Sequence, residues 1–487
     1  MEKFCLNFEN KYASLPSDFY TKMLPEKVSK KPFLVHANKE AAKLIDLDPA
    51  TFLDKNFVEY FAGNKQLQGS ENLAMVYAGH QFGYYVPKLG DGRAILLGQV
   101  RNKNGELVDI QLKGSGKTPY SRFADGRAVM RSSIREYLCS EAMFGLSIPT
   151  TRALCVIGTN EPVMREGLEP GAIVTRISTG SNIRFGHFEY FYYSGKPEAL
   201  KQLIDHVITE YFHISPNGNY YIDWFKEVVS RTAKLIANWQ AVGFQHGVMN
   251  TDNMSITGLT IDYGPFGFME EYDENWIANH SDHSGRYAFN QQPSIGMWNL
   301  YALAYSLQDI IPIEETNEII KGYKTILGET YSNLMLKKIG LVEKEFKDNN
   351  LWVELLEIMQ ESKADYTLTF RKLSDVNEKN DNNFWLNILD NSEKAKEWLS
   401  KYFAKLKVLN QNNEERKLRM NKINPKYVFR NWIAETAIRA AEDNCNYSII
   451  DNLINILQNP FDEHEEFNHF ASQAPSHLRN LWVSCSS

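Results

Sequence analysis

Two side chains near the middle of the chain have the types and the spacing needed to hold a divalent cation. Asn253 ends the run that begins at His246, and Asp262 follows nine residues later. Amide and carboxylate oxygens in such positions hold Mg²⁺ on a nucleotide. Asp252, beside Asn253, is placed to accept a proton from an attacking hydroxyl. These residues predict transfer of a group from a nucleoside triphosphate.

The spacing resembles the catalytic loop of protein kinases, with one change. Kinase-like phosphotransferases carry His-x-Asp, an Asn five residues later, and then an Asp-x-Gly turn. The spacing from His246 to Asn253 matches, but Val248 stands in the position of the base and cannot accept a proton. Either the chain is a kinase without activity, or its catalysis is arranged differently with Asp252 as the substitute base.

A glycine-rich loop and a lysine lie upstream in the order that a nucleotide site requires. Gly90, Gly92 and Arg93 precede a predicted strand, and Lys113 ends another strand about twenty residues later. Backbone amides of such a loop approach phosphates, and arginine makes bidentate contacts to them. Alone, the loop is typical of a hairpin turn and the lysine of a solvated strand end. The downstream Asp262 favours the nucleotide interpretation.

A kinase lysine needs a carboxylate on a helix to orient it, and two are available. Glu136 and Glu141 both lie on a helix predicted over residues 132–145, and helical spacing does not choose between them. Arg176 and Arg184 flank a turn rich in glycine and serine. In a nucleotide site these two arginines would suit a polyphosphate chain.

Hydrophobic periodicity predicts the elements that must position these residues. Strands are expected over 95–100 and 108–113, with Lys113, Gln111 and Asp109 on one face of the second. Ser132 or Ser133 is a potential N-cap of the helix that follows. Later helices are predicted over 198–212, 223–242, 296–308, 315–338, 351–372, 383–408 and 427–457, with a polar loop over 377–383. The pattern predicts an α+β, two-lobed, protein-kinase-like fold, with a strand-rich N-lobe over 1–195 and a helical C-lobe over 196–487.

Composition limits the class of protein. The chain has 487 residues, is 43% hydrophobic and carries a formal net charge of −7. The negative charge argues against nonspecific nucleic-acid binding. No apolar run is long enough to span a bilayer, and the N-terminus lacks the apolar core of a signal peptide. Five scattered cysteines predict a reducing, cytoplasmic location. Cys485, near the end, is a potential contact for a redox partner.

The chain closely resembles the SelO family (selenoprotein O), pseudokinase-fold protein adenylyltransferases. The resemblance rests on long blocks in the same order: Tyr77–Gly83, Leu89–Ala94, Gln111–Gly116, Thr118–Arg122, Asp125–Arg127, Ser132–Glu136, His246–Asn253, Ile261–Phe266, Asn279–Tyr287, Asn424–Tyr427 and Cys485–Ser487. It implies an active enzyme that binds ATP turned around relative to kinases. AMP would then pass to a Ser, Thr or Tyr hydroxyl of a protein, with loss of pyrophosphate. Conventional γ-phosphate transfer and a silent nucleotide-binding scaffold are the alternatives.

The resemblance also implies roles for individual residues. Lys113 would pair with Glu136, and Asp252 would accept the proton. Asn253 and Asp262 would hold Mg²⁺ or Mn²⁺. Nucleotide contacts would come from Gly90, Gly92, Arg93, Asp125, Gly126, Arg176 and Arg184.

One feature of the family is missing. Some relatives join their C-terminal cysteine by a disulfide to a cysteine in the segment that corresponds to a kinase activation segment. Here that position is Ala278, and residues 262–287 contain no cysteine. We therefore predict that this chain has no such internal redox lock.

Overall fold

The computed structural model describes residues 4–215, 218–341, 350–410, 412–479, 481, 483 and 484. Its strands are β1 (Tyr20–Lys22), β2 (Phe33–Ala37), β3 (Leu73–Met75), β4 (Gly79–Gln81), β5 (Tyr84–Val86), β6 (Ala94–Arg101), β7 (Leu107–Lys113), β8 (Ala128–Val129), β9 (Arg152–Met164), β10 (Leu168–Ser178), β11 (Phe244–Gln245) and β12 (Gly267–Phe268). The fold is therefore mixed α and β, with its long strands in the first part of the chain.

The α-helices carry most of the remainder. They are α1 (Lys39–Lys43), α2 (Lys55–Phe61), α3 (Met130–Gly145), α4 (Phe185–Tyr193), α5 (Pro197–Val207), α6 (Tyr220–Ala241), α7 (Gln292–Ser306), α8 (Ile313–Lys338), α9 (Leu351–Ser362), α10 (Tyr366–Leu373), α11 (Asn383–Leu386), α12 (Glu393–Val408), α13 (Asn413–Asn421), α14 (Asn431–Asn444) and α15 (Ser448–Gln458). No described helix is long and apolar enough to cross a membrane.

One antiparallel sheet supports the first half of the site. Its strands follow the order β1-β3-β6-β7-β10-β9-β2, with β8 added beside β10. Arg176 on β10 lies opposite Gln111 on β7. Directly paired residues share a face, and so do residues two apart on one strand. Arg176, Gln111 and Lys113 therefore project from the same side of the sheet.

Both faces of β7 are buried, but only one of them packs in an apolar core, which explains its alternating sequence. Val108, Ile110 and Leu112 pack in an apolar cluster with Phe57 and Phe61 of α2. The polar residues of the strand face the other way, toward the site, as the alternation predicted. A polar residue on that buried face must find partners there, because an unpaired polar group in an interior is costly.

Helix α3 crosses the polar face of the sheet. It begins two residues earlier than predicted, at Met130, and its N-cap is Val129. The prediction of Ser132 or Ser133 as N-cap is wrong, because β8 runs directly into the helix and Ser132 already lies within the first turn. The Ser132 hydroxyl donates instead to the Val129 carbonyl, at 3.2 Å.

Three long helices predicted for the second half are each interrupted. The first ends at Lys363, which has φ = +49°, and restarts after Asp365, whose side chain accepts from the Leu368 amide. The second breaks at Asp390 (φ = +55°), and the third at Cys445 (φ = +50°). Left-handed residues end helices because they reverse the direction of the backbone. Continuous hydrophobic periodicity concealed these breaks.

Candidate functional site

A cleft of about 450 Å³ brings most of the predicted site residues together. It is bordered by the loop before β6, the end of β7, β10 and the loops around residues 248–253 and 262–265. The predicted residues that line it are Gly90, Gly92, Arg93, Lys113, Arg176, Arg184, Asp252, Asn253 and Asp262. Its volume falls in the range of small-molecule sites.

Asp262 is the centre of an ion network in this cleft. Arg176 donates to its Oδ1 at 2.5 Å, and Arg184 donates to its Oδ2. Asp262 has φ = +54°, a left-handed conformation that is uncommon outside glycine. Burial alone would raise its pKa, but Arg184, Arg176 and Lys113 hold the pKa well below its usual range. The carboxylate is therefore ionised at any physiological pH.

Glu136 connects this network to the sheet. Its two carboxylate oxygens accept from Lys113 Nζ and Arg176 Nε. Burial opposes its ionisation, but Arg176 and Lys113 lower its pKa below the ordinary value. Burial also lowers the pKa of Lys113 to about 8, against the opposing effect of Glu136. Lys113 is thus held in place by the carboxylate that keeps it charged.

Glu141, the alternative partner of Lys113, lies elsewhere. It binds Arg152 through two contacts of 2.6 Å and accepts from Gln458 at 2.6 Å. Residues five apart on a helix point in different directions, and α3 is buried on several sides. The same helix therefore carries one carboxylate for the cleft and another for its contact with β9 and α15.

The loop before β6 is shaped by close packing against Tyr120. Gly90 has φ = +79°, and a Cβ there would lie 2.5 Å from the Tyr120 ring. The intervening Asp91 is buried and accepts from the Met75 amide at 3.1 Å. Burial raises the pKa of Asp91 to about 6, although Arg184 opposes the rise. Asp91 therefore fastens the loop, while Arg93 is exposed at the cleft.

The loop from His246 to Asn253 is fastened to the turn at Asp262. His246 Nε2 lies 2.8 Å from the Ile261 carbonyl, and burial lowers the pKa of this imidazole. Asn253 donates its amide to the Val248 carbonyl at 3.0 Å. Val248 lines the cleft in the position of the kinase base. The loop therefore has the kinase-like spacing but an apolar side chain where the proton acceptor would stand.

Asp252 is the carboxylate in this loop that lies at the cleft. Its Oδ2 accepts from Gln81 Nε2 at 3.1 Å, and its Oδ1 is buried without a hydrogen-bond partner among the described residues. Burial raises its pKa to about 6, opposed chiefly by Arg184, which donates to its backbone carbonyl at 2.7 Å. A carboxylate with an unused oxygen and a raised pKa is suited to accepting a proton.

Asp125 and Gly126 are not among the residues that line the cleft. Both Asp125 oxygens accept from Arg165, at 2.8 and 3.1 Å. Gly126 has φ = +71°, and its carbonyl accepts from the Gly116 amide at 3.1 Å. The neighbouring Ala124 does line the cleft. The predicted nucleotide contacts of these two residues stay predictions.

Several cleft residues received no role from the sequence. Gln81 orients Asp252, and the ring of Tyr77 lies 4.9 Å below the Arg184 guanidinium. Tyr120 supports the glycine loop, and Arg122 adds an exposed cation to the lining. Tyr77, Gln81, Tyr120 and Arg122 belong to blocks that carried the family resemblance, which was the one signal available for them.

The C-terminal tail lies beside Ala278, the residue on which the prediction of no internal disulfide depends. Val483 pairs with Asn279, and the His280 amide donates to the Val483 carbonyl at 3.0 Å. Ala278 is buried next to this contact. Cys485 lies outside the described residues, so its redox role and the prediction of no internal disulfide stay predictions. Cys5, Cys139, Cys155 and Cys445 are free thiols.

Comparison with known proteins identifies relatives along nearly the whole chain. A family model described as "Protein adenylyltransferase SelO" matches residues 2–458. A "Protein nucleotidyltransferase YdiU" of Photobacterium profundum is 45% identical over 511 residues, covering 99% of both chains. Proteins with the same name from Myxococcus xanthus and Pseudomonas fluorescens are each 46% identical, again over 99% of both chains.

Proposed function

The chain belongs to the SelO family of protein adenylyltransferases, and on this premise we propose that it transfers AMP from ATP to serine, threonine or tyrosine hydroxyls of proteins. ATP is the substrate and pyrophosphate the leaving group. The observation that carries the proposal is the pairing of Val248 in the kinase base position with the buried carboxylate of Asp252 at the same cleft.

The proposal includes a kinase-like organisation. The antiparallel sheet with α3 would form an N-lobe within residues 1–195, and the helices from α5 onward a C-lobe within 196–487. The sheet contributes Lys113 and Arg176 to the cleft, and the later loops contribute Asp252 and Asp262. Contributions from both halves of the chain support a nucleotide bound between them.

The arrangement of arginines supports a nucleotide turned around relative to kinases. Burial would lower the pKa values of Arg176 and Arg184. Glu136 and Asp262 instead raise the pKa of Arg176, and Asp262 raises the pKa of Arg184. Both guanidinium groups therefore stay charged within the cleft. They join Lys113, Arg93 and the loop amides as a cationic surface for a polyphosphate. We propose that the β- and γ-phosphates lie there, leaving the α-phosphorus near Asp252.

Asn253 and Asp262 suit a divalent cation by their chemistry. The Asn253 amide nitrogen is used by the Val248 carbonyl, so this side chain offers its oxygen. Asp262 offers an ionised carboxylate. Hard oxygen donors suit Mg²⁺ or Mn²⁺, and a bound cation would neutralise phosphate charge. Because Arg176 and Arg184 already contact both Asp262 oxygens, a cation held by Asp262 would share this carboxylate with the two arginines, which would then turn partly toward phosphate.

In the proposed reaction, the acceptor hydroxyl oxygen attacks the α-phosphorus. An oxygen–phosphorus bond forms, the bond from the α-phosphorus to the bridging oxygen breaks, and pyrophosphate leaves. Asp252 takes the hydroxyl proton, while Gln81 fixes the orientation of its carboxylate. Glu136 holds Lys113, and Lys113 keeps the phosphates in place together with the two arginines. The negative charge of the phosphates is therefore balanced before the reaction begins.

The test uses ATP labelled at the α- or the γ-phosphate in separate incubations with an acceptor protein mixture. Adenylyl transfer places label on protein from α-labelled ATP alone. Label from γ-labelled ATP would instead identify a conventional kinase. An Asp262→Ala variant controls for label bound without catalysis, because loss of the metal ligand should remove transfer.

A further inference from the structure

A groove beside the nucleotide cleft has no part in the chemistry described above. It measures about 750 Å³ and lies between the β4–β5 hairpin and the segment from Asn275 to Ile295. Phe82 lines both the groove and the cleft. The adjacent Gln81 holds the Asp252 carboxylate at 3.1 Å. The groove therefore continues from the side of the cleft where the acceptor hydroxyl must arrive.

The groove combines apolar surface with neutral polar groups. Tyr84 is 80% exposed, which is unusual for so large an aromatic side chain. Phe82 and Ile277 are half-buried and add further apolar surface. Among the described lining residues the polar members are Asn275, Ser284, Asn290 and Gln291, and the one charged member is Arg286. This composition is typical of a protein-binding surface rather than of a second phosphate site.

Arg286 is held in place but has no carboxylate partner. Its guanidinium lies 4.8 Å from the centre of the Trp298 ring. Gly83 makes room for it, since a Cβ there would lie 3.3 Å from the Arg286 Cζ. The Asp282 carboxylate accepts instead from the backbone amides of Arg286 and Tyr287, at 3.0 and 2.7 Å. No described carboxylate forms an ion pair with the Arg286 side chain.

A fixed, half-buried guanidinium group without an anionic partner favours binding of a carboxylate from another molecule. Holding the group in advance lowers the entropy cost of forming the pair, and a charged donor strengthens it. Arginine also offers a planar fork that matches the two oxygens of an Asp or Glu side chain. The charge of the groove therefore favours an acidic partner.

We propose that this groove binds a polypeptide segment of the acceptor protein. The segment would place its hydroxyl residue toward Asp252, an Asp or Glu beside it on Arg286, and apolar side chains over Phe82 and Ile277. The proposal rests on the proposed adenylyl transfer, because it names where the acceptor of that reaction docks. It makes Arg286 a determinant of acceptor specificity, not a catalytic residue.

The test uses fluorescent peptides with a central serine, flanked by glutamate, glutamine or lysine but otherwise identical. Binding is measured by anisotropy without ATP, so that it does not depend on transfer. The parent should bind the glutamate peptide roughly tenfold more tightly than the lysine peptide, the range expected for one charge-assisted contact. Arg286→Gln should remove this preference, and Arg286→Glu should reverse it.

A matched control is available on α6. Lys234 is exposed and lines neither the groove nor the cleft, so Lys234→Glu changes the net charge equally and should keep the parental preference. Equal binding of all three peptides by the parent would overturn the proposal. So would identical behaviour of Arg286→Glu and Lys234→Glu.

Two further results distinguish peptide binding in the groove from a failure of the proposed transfer and from self-association of the chain. Peptide preference without any label from α-labelled ATP would support the groove and overturn adenylyl transfer. A concentration-dependent dimer that Arg286→Glu dissociates, in sedimentation experiments, would make a second copy of the chain the occupant and overturn the peptide assignment. With transfer intact, the Arg286 variants should raise KM for the glutamate peptide and leave kcat nearly unchanged.

Discussion

Two buried carboxylates on α3 provide a matched pair of variants. Glu136 binds Lys113 and Arg176 at the cleft, whereas Glu141 binds Arg152 and Gln458 away from it. We predict that Glu136→Gln weakens ATP binding by roughly tenfold to a hundredfold and slows transfer. Glu141→Gln should leave both nearly intact, although it removes a charge from the same helix.

Both changes should lower stability by comparable amounts. Glu136 is 3% exposed and Glu141 is fully buried. Removing one partner of a buried ion pair costs about 3–5 kcal/mol, because the other charge is left without compensation. The stability loss caused by Glu136→Gln should lie near the lower end of this range, since Arg176 keeps its contact with Asp262. Proteins typically have about 5–15 kcal/mol of stability, so each variant stays folded in buffer if the parent lies above the lower end of this range.

The loss of binding follows from the charge of Lys113. Burial lowers its pKa to about 8, and Glu136 opposes that effect. Without the Glu136 carboxylate the pKa falls further, so part of the Lys113 population is uncharged at neutral pH. Losing a charge-assisted contact to phosphate costs about 1.5–3 kcal/mol, or roughly tenfold to a hundredfold in affinity.

Urea denaturation measures the loss of stability, and calorimetric titration with ATP and Mg²⁺ or Mn²⁺ measures the loss of ATP affinity. Lys113→Met should resemble Glu136→Gln, and the double variant should be little worse than either, because the two residues act as one unit. Glu136 does not orient Lys113 if Glu141→Gln impairs ATP binding as much as Glu136→Gln, or if the losses caused by Lys113→Met and Glu136→Gln simply add in the double variant.

Three other predictions concern different parts of the molecule. Asp262→Ala should abolish metal-dependent ATP binding in calorimetry, whereas Asp252→Ala should keep binding and slow transfer by roughly 10²–10⁴-fold; full activity of Asp252→Ala would remove its catalytic role. Reductant should change the activity of the isolated protein little, and Cys485→Ser should match the parent; strong activation by reductant that Cys485→Ser abolishes would show a switch. Burial raises the pKa of Asp109 from 3.8 to about 6, so its own contribution to stability is present below about pH 4 and falls by about 3 kcal/mol as pH rises through about 6. Because carboxylates with lowered pKa values, such as those of Asp262 and Glu136, act in the opposite direction, the decline is measured as the difference in urea stability between the parent and Asp109→Asn, and a difference that does not change with pH would contradict it.

Local sequence patterns predicted much of the sheet and part of the site. The alternation in β7 predicted which of its side chains face the site, because a side-chain period of two is a property of any strand. The order of glycine loop, Lys113 and Asp262 predicted a common cleft. The structure places those residues on one cleft lining.

Other features depend on contacts between distant parts of the chain. Helical spacing could not choose between Glu136 and Glu141, because the choice depends on Arg176, which pairs with Gln111 across the sheet. The contact between Gln81 and Asp252 joins residues 171 positions apart and leaves no periodic signal. The helix breaks at Lys363 and Asp390 depend on single left-handed residues, which hydrophobic periodicity does not detect.

The products of the reaction distinguish adenylyl transfer from phosphoryl transfer. The purified protein is incubated with ATP, a divalent cation and an acceptor protein, and both pyrophosphate and ADP are quantified against label incorporated from α-labelled ATP. Adenylyl transfer predicts one pyrophosphate for each AMP placed on protein, no ADP above background, and loss of both products in Asp262→Ala. ADP formed in step with γ-phosphate on the acceptor, with no pyrophosphate, would contradict it.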